Sequence, residues 1–464
     1  MKLPGTGRGT GPGAWTLAAS GCILAASIAL AACAEEVATA PQDVAATLAV
    51  QLTDQSLRTV RWREDLDLAV RIGASVVRVD FNWPWTETEP GRYDWSTYDA
   101  LATELSKRRL RPLFILHRPN RLHGRSLDSR DSGDQEPVVA PPRSADEITA
   151  FGRWAAAAAL HFKALRPIWE IWNEPDGEGF WPPRPNPTEY TRLARATCDS
   201  IKSVVPDAFV VGPAAAEMPT VWDATKPLVN EVLRDVGLMR CLDAVSLHTH
   251  RFGQTPETVS RDYAVFRKIR AGLSAREIPI VDTEWGDSVY RSGLTEARQA
   301  SWLTRMFLTN IVENIALTNW YCLVDTGDDE GEMEDRFGLV TRTGRLRPGF
   351  LAYRTLSQAL RGHTLRNVIA RFDPETAKGT TVLMFCRPDN ACKIAAWTTE
   401  MPDKPLRFVI QGWGISGPIV GHLGQRLPST PQDDTSATLS LSTDVQFVPI
   451  KRLSNDQNGT AIRR

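Results

Sequence analysis

The chain has 464 residues, 42% of them hydrophobic and 23% charged. These values exclude a disordered or fibrous protein and predict one large domain plus a smaller one. A formal net charge of -1 excludes nucleic acid as the main partner, because phosphate binding needs a basic surplus or patch.

The first 33 residues read as a leader and not as fold. A weakly basic start is followed by the apolar run "TLAASGCILAASIALAAC", the layout of a secretory signal, too short and too rich in small residues for a membrane span. Its end, Leu30-Ala31-Ala32-Cys33, resembles the lipobox of bacterial lipoproteins. That resemblance implies lipid attachment at Cys33, export to the cell envelope, and a membrane contact made through the anchor alone. Residues 34–46 form a linker.

Over residues 47–362, β-like runs alternate with amphipathic helical stretches. "TLAVQLT", "SVVRVDF", "RPLFILH", "PIWEIWNEP", "AFVVGPA", "DAVSLHT", "IPIVDTE" and "LTNWYCLV" read as strands, each followed by a helical pattern such as "YDALATELSKRRL" or "TEARQASWLTRMFLTNIVENI". Eight such units predict an α/β fold, a (β/α)8 TIM barrel. An open doubly wound sheet is the alternative, weakened because no glycine-rich phosphate loop follows an early strand. From 363 to 452 short strand-like runs are split by Pro, Gly, Asp and Asn, which predicts a small all-β sandwich-like domain. The tail 453–464 reads as disordered. Cys386 and Cys392 flank the turn "RPDNA" and are placed to close a hairpin. A Cys198–Cys241 pair is left open, and Cys322 reads as an inert buried thiol. No CxxC or Cys/His ligand spacing is present, so neither a metal nor an organic cofactor is implied.

The chemistry is carried by carboxylates at strand ends. In "IWEIWNEPDG" alternation along a strand puts Glu170, Trp172 and Glu174 on one face. Glu174 precedes a Pro-Asp-Gly turn, at the C-terminal end that forms the mouth of such a barrel. Glu170 lies deeper, in the interior, where a carboxylate needs partners or a proton. A second carboxylate, Glu284, follows the apolar run "IPIVD" at the end of strand 7. Two glutamates facing each other across a barrel mouth suit glycoside hydrolysis, one as proton donor and the other as nucleophile or base.

The run Trp169-Glu170-Ile171-Trp172-Asn173-Glu174-Pro175, with Thr283-Glu284-x-Gly286, resembles the retaining glycoside hydrolases of clan A, most nearly family 39 and its bacterial exopolysaccharide hydrolases. "VVRVDFNWPWTETEPGRYDWSTYDALA" and "DAVSLHTHRFG" extend the resemblance over the whole barrel. It implies Glu174 as acid/base, Glu284 as nucleophile, Asn173 as a ligand of the sugar 2-hydroxyl, and Arg78 as the cation that keeps the nucleophile ionised. Trp320 matches a sugar platform. His250 stands where many members of the clan have a tyrosine, which leaves its role open.

Independently of the resemblance, His117, His248 and His250 fall at strand ends and are expected to line the mouth. Trp83, Trp85, Trp181 and Trp285 follow strand ends and could stack sugars. The expected partner is thus a β-linked polysaccharide or oligosaccharide, and a monomer is expected. A transglycosidase using the same residues and a non-catalytic sugar-binding lipoprotein stand as alternatives.

Overall fold

Strands buried on both faces read as nearly continuous apolar runs, and eight of them close a parallel barrel here. They are β1 (Leu48–Leu52), β2 (Val76–Asn82), β3 (Arg111–His117), β4 (Ile168–Ile171), β5 (Phe209–Ala215), β6 (Ala244–His248), β7 (Ile280–Trp285) and β8 (Thr318–Trp320). Each pairs with its sequence neighbour, and β8 returns to β1 through Leu48↔Thr318 and Val50↔Trp320, so the sheet has no edge. The computed structural model describes residues 43–59, 61–127, 138–221, 228–273, 276–400, 406–429 and 434–453. The leader with Cys33, most of the linker and the end of the tail lie outside the described residues.

Nine helices matter for the outer ring: α1 (Trp62–Ile72), α2 (Ser96–Arg108), α3 (Ala145–Phe162), α4 (Pro187–Val204), the short pair α5 (Leu228–Arg234) and α6 (Val236–Cys241), α7 (Val259–Gly272), α8 (Glu296–Val312) and α9 (Pro348–Leu360). Their ends follow local chemistry. Ser144 and Glu147 make a reciprocal capping box at the start of α3, and Asn186 caps α4 ahead of its first-turn proline. Gly73 ends α1 in the left-handed region, φ 85°. Outward-facing strand residues such as Val77, Phe114, Trp169 and Val210 join the helices in the main apolar core. Ala49, Leu113, Ile115 and Val211 pack inside the barrel. Cys198 of α4 is disulfide-bonded to Cys241 at the end of α6.

The sequence overreads two strands. β8 stops at Trp320, so Cys322 lies beyond it, although it is a buried free thiol. β4 stops at Ile171, and Trp172 and Glu174 both take positive φ, 69° and 43°. A left-handed backbone breaks the alternation that would have put Trp172 and Glu174 on Glu170's face.

Beyond the barrel lies a β-sandwich. Its larger sheet runs β9 (Thr364–Ala370), β10 (Thr380–Cys386), β11 (Cys392–Thr398), then β17 (Gln446–Arg452), β14 (Ile419–Gly421) and β15 (Arg426–Leu427), with β13 (Trp413–Ile415) also on β17; β12 (Leu406–Gln411) and β16 (Ser436–Leu441) form the second. The Cys386–Cys392 disulfide closes the β10–β11 hairpin. Alternation sorts the two faces of the larger sheet. Val382, Met384, Ile394 and Ala396 face the second sheet, whereas Leu383, Phe385, Ala395 and Trp397 belong to the barrel's core. At that seam the fully buried Glu257 accepts from Arg305 Nε and Nη2, 2.8 and 2.6 Å, and from Trp397 Nε1, 2.8 Å.

Removing Glu257 leaves a buried guanidinium and an indole N–H without their acceptor. Glu257→Ala is therefore expected to lose about 3 kcal/mol of stability, read by urea denaturation. A loss near zero would show that the seam does not depend on this charge.

Candidate active site

Arg78 projects from β2 into the barrel and is completely buried. A guanidinium has five N–H donors, and every one has a partner. Nε donates to Glu170 Oε2 at 2.8 Å. Nη1 donates to Gln51 Oε1 at 2.9 Å and to Glu284 Oε2 at 2.5 Å. Nη2 donates to Asn173 Oδ1 at 2.9 Å and to His248 Nε2 at 3.1 Å. One side chain thus ties together residues from β1, β4, β6 and β7 and from the turn after β4.

Those contacts assign the protons. Arg78 can only donate, so His248 Nε2 is an acceptor and its Nδ1 carries the hydrogen, 2.8 Å from Glu174 Oε1. Burial holds His248 down at about 4, which keeps it neutral. His250 is the opposite case. Its Nδ1 lies 3.0 Å from the Gly286 carbonyl, which can only accept, and its Nε2 lies 3.3 Å from Glu284 Oε1. Both nitrogens are donors, so the ring is an imidazolium. Burial opposes that charge, but the hydrogen bond and attraction to Glu284 lift His250 to about 9.

The two strand-end glutamates are consequently unlike. Burial also opposes the charge of Glu284, yet the Arg78 guanidinium and the charge and hydrogen bond of His250 outweigh it and hold the carboxyl well below the usual range. Glu174 lacks an ion-pair partner of that kind. Burial, then repulsion from Glu284, push it up to about 8, so it keeps its proton at neutral pH. Donor atoms of Glu174, His250 and Glu284 all lie within 4.8 Å of one another. A cation could be held by such a trio, but the positive charge there is already supplied by Arg78 and the doubly protonated His250.

The turn that presents Glu174 is fastened from β5. Glu174 N donates to Ala214 O at 3.2 Å, and the buried Asp176 accepts from the amides of Ala216 and Glu217, each at 3.0 Å. Asn173 gives its carbonyl oxygen to Arg78, which fixes the amide's orientation.

Other expectations are corrected or refined. His117 is buried at the end of β3, but its Nε2 bonds Asp80 Oδ1 at 2.5 Å and not the glutamate pair. Trp83, Trp181, Trp285 and Trp320 are at most 1% exposed, so none offers a sugar an open ring face. Trp83 stacks on Trp154 and His123 instead, and Trp181 packs on Trp172 and Tyr190. Trp85 is half-buried beneath Arg58. Gln51 and Asp80 escaped the sequence reading. Each had a signal: Gln51 is the polar interruption of "LAVQL", and Asp80 stands two residues beyond Arg78 on the same face of β2.

No protein-family profile matches the chain, and no curated protein sequence does. Solved structures share its architecture. A family 39 glycoside hydrolase from the gut symbiont Bacteroides cellulosilyticus WH2 superposes with a TM-score of 0.68 at 18% identity, covering 89% of this chain and 82% of that one. A monomeric β-xylosidase from Caulobacter crescentus CB15 gives 0.64 at 17%, covering 90% and 98%. A GH30 endoxylanase from Clostridium papyrosolvens C71 gives 0.60 at 14%, covering 89% and 98%. At these identities the likeness establishes the fold, a TIM barrel followed by a β-sandwich.

Because repulsion from Glu284 helps hold the proton on Glu174, Glu284→Gln should lower the Glu174 pKa from about 8 by about one unit or more. A carboxyl-carbon NMR titration reads it, and an unmoved Glu174 would refute the coupling.

Proposed function

We propose that this protein is a retaining glycoside hydrolase that cleaves β-glycosidic bonds of a polysaccharide or oligosaccharide, with Glu174 as acid/base and Glu284 as nucleophile. The observation that carries this reading is the pairing of a protonated and an ionised carboxyl, with oxygens within 4.8 Å, at the mouth of a barrel. Retention calls for carboxyl groups about 5 to 5.5 Å apart, whereas inversion leaves room between them for a water.

Glu174 gives its proton to the glycosidic oxygen as the bond to the anomeric carbon breaks, and Glu284 Oε attacks that carbon to form a glycosyl ester. Glu174, now a carboxylate, takes a proton from water, whose oxygen displaces the ester and restores Glu284. His248 donates to Glu174 Oε1, leaving Oε2 to carry the mobile proton. Asn173 has its carbonyl oxygen committed to Arg78, so its amide N–H groups are the part turned to a sugar hydroxyl. The β-xylosidase and endoxylanase among the similar structures make β-xylosides the first substrates to try.

Activity should hold below about pH 8 and fall above it as Glu174 loses its proton; the acid limb should lie below the usual carboxylate range. Glu284→Gln should abolish turnover. Glu174→Gln should reduce kcat/KM on unactivated oligosaccharides by about a thousandfold, with less loss when the leaving group needs no proton. Steady-state kinetics across pH check both, and an active Glu284→Gln protein would refute the assignment.

Export with lipid attachment at Cys33 belongs to the same proposal, supported by Leu30-Ala31-Ala32-Cys33 at the end of the apolar leader. Cys33→Ala should move the protein from the membrane to the soluble fraction of fractionated cells. Unchanged membrane retention would contradict it.

A further inference from the structure

Each interior layer of such a barrel is filled by four side chains from alternate strands, usually branched and apolar. One layer here is polar throughout. The strand registers run Glu170–Val211–Ala244, Asn319–Ala49–Val76 and Arg78–Leu113–Ile168. With the stagger of an eight-stranded barrel, about two residues for every second strand, they put Arg78, Glu170, Ser246 and Asn319 at one level. All of these are completely buried. Their chain neighbours Val77, Trp169, Ile171, Val245, Leu247 and Trp320 belong to the outer core, so the layer faces the axis.

The polarity of this layer is only partly answered. Arg78 is fully engaged, and Ser246 Oγ accepts from Ala214 N at 2.9 Å. Glu170 uses Oε2 on Arg78, but its Oε1 has no hydrogen-bond partner among the described residues, and neither Oδ1 nor Nδ2 of Asn319 has one. Buried polar atoms left this way are costly and rare. Glu170 and Asn319 come from β4 and β8, which stand opposite each other in the ring of strands, so the barrel axis runs between them. The chemistry of the pair selects what can join them. A carboxylate oxygen and an amide carbonyl need donors, and an amide N–H needs an acceptor. Water serves both, whereas a cation is disfavoured by the Asn319 N–H and the Arg78 guanidinium, and an anion by Glu170.

We propose that water is bound on the barrel axis between Glu170 and Asn319, and that Asn319 acts through it as a positioning residue for the nucleophile. Water donates to Glu170 Oε1 and to Asn319 Oδ1 and accepts from Asn319 Nδ2. Glu170 is then held at both oxygens while Oε2 takes the Arg78 Nε–H at 2.8 Å, and the same guanidinium donates to Glu284 Oε2 at 2.5 Å. The line of contacts runs from β8 through water, Glu170 and Arg78 to Glu284. This water lies beneath Arg78, away from the mouth, and is not the one that releases the sugar. The positioning role rests on the glycosidase reading; the water site does not.

The test joins crystallography to kinetics. The wild-type crystal, grown with rubidium in place of sodium, should show ordered water within about 3 Å of Glu170 Oε1 and of the Asn319 amide. Asn319→Leu and Asn319→Val should remove it, and Asn319→Ser should keep it. Valine is a usual filling of such layers, so one apolar variant that folds is enough. On β-xylosides the apolar variants should lose kcat by about tenfold to a hundredfold with little change in KM, and Asn319→Ser should recover most of the loss. An anomalous rubidium peak at the axis, a direct Glu170–Asn319 bond, or no density between them overturns the water site. Water present but kcat unchanged in the apolar variants overturns the positioning role. Ordered water without wild-type hydrolysis would sink the hydrolase and leave the site; hydrolysis without the water would do the reverse.

Discussion

A single buried guanidinium organises the centre of this barrel. Arg78 spends all five of its N–H groups inside the protein, and a buried cation is tolerable only when its charge is matched and its donors are satisfied. Its ion pairs with Glu170 and Glu284 bring two carboxylates to one cation, and His250 adds the second positive charge. A charge on Glu174 would stand beside that of Glu284 in a largely buried pocket, and burial first, then this repulsion, keep its proton in place. The difference between the two carboxyls thus follows from burial, which acts on both, and from the ion pairs with Arg78 and His250, which only Glu284 makes.

Glu170 acquires its meaning in the same way. It sits among apolar and aromatic residues because it anchors Arg78 from below, leaving the upper donors for Glu284, Asn173 and His248. The β-sandwich contributes at a distance. It covers one side of the barrel with Phe385 and Trp397 and meets Glu257 just before α7. Glu257 lies a few residues beyond the buried Arg251, which donates to Thr249 O and Asp262 Oδ2, so the segment that follows β6 is fastened at both ends, by Arg251 and by the module.

The fold was largely legible because its signals are periodic. Doubly buried strands such as "RPLFILH" and capped helices such as "SADEITAFGRW" announce themselves locally. The glutamate pair was legible because each member sits where an apolar run gives way to a turn. What failed was whatever depended on side-chain direction. A left-handed step at Trp172 is invisible in a string of letters, and it turned that ring into the core beside Trp181. The same holds for Trp320, whose place in the strand was evident while its complete burial was not.

The central claim is that two carboxyls of opposite protonation, held this close, carry out displacement through a glycosyl ester on Glu284. The stereochemistry of the first product tests this most directly. Proton NMR of the anomeric region during the first minutes of β-1,4-xylo-oligosaccharide hydrolysis distinguishes the outcomes before mutarotation blurs them. The account predicts that the β anomer forms first. The α anomer forming first would contradict it, and would mean that Glu284 activates a water where the account has it form a bond to the sugar.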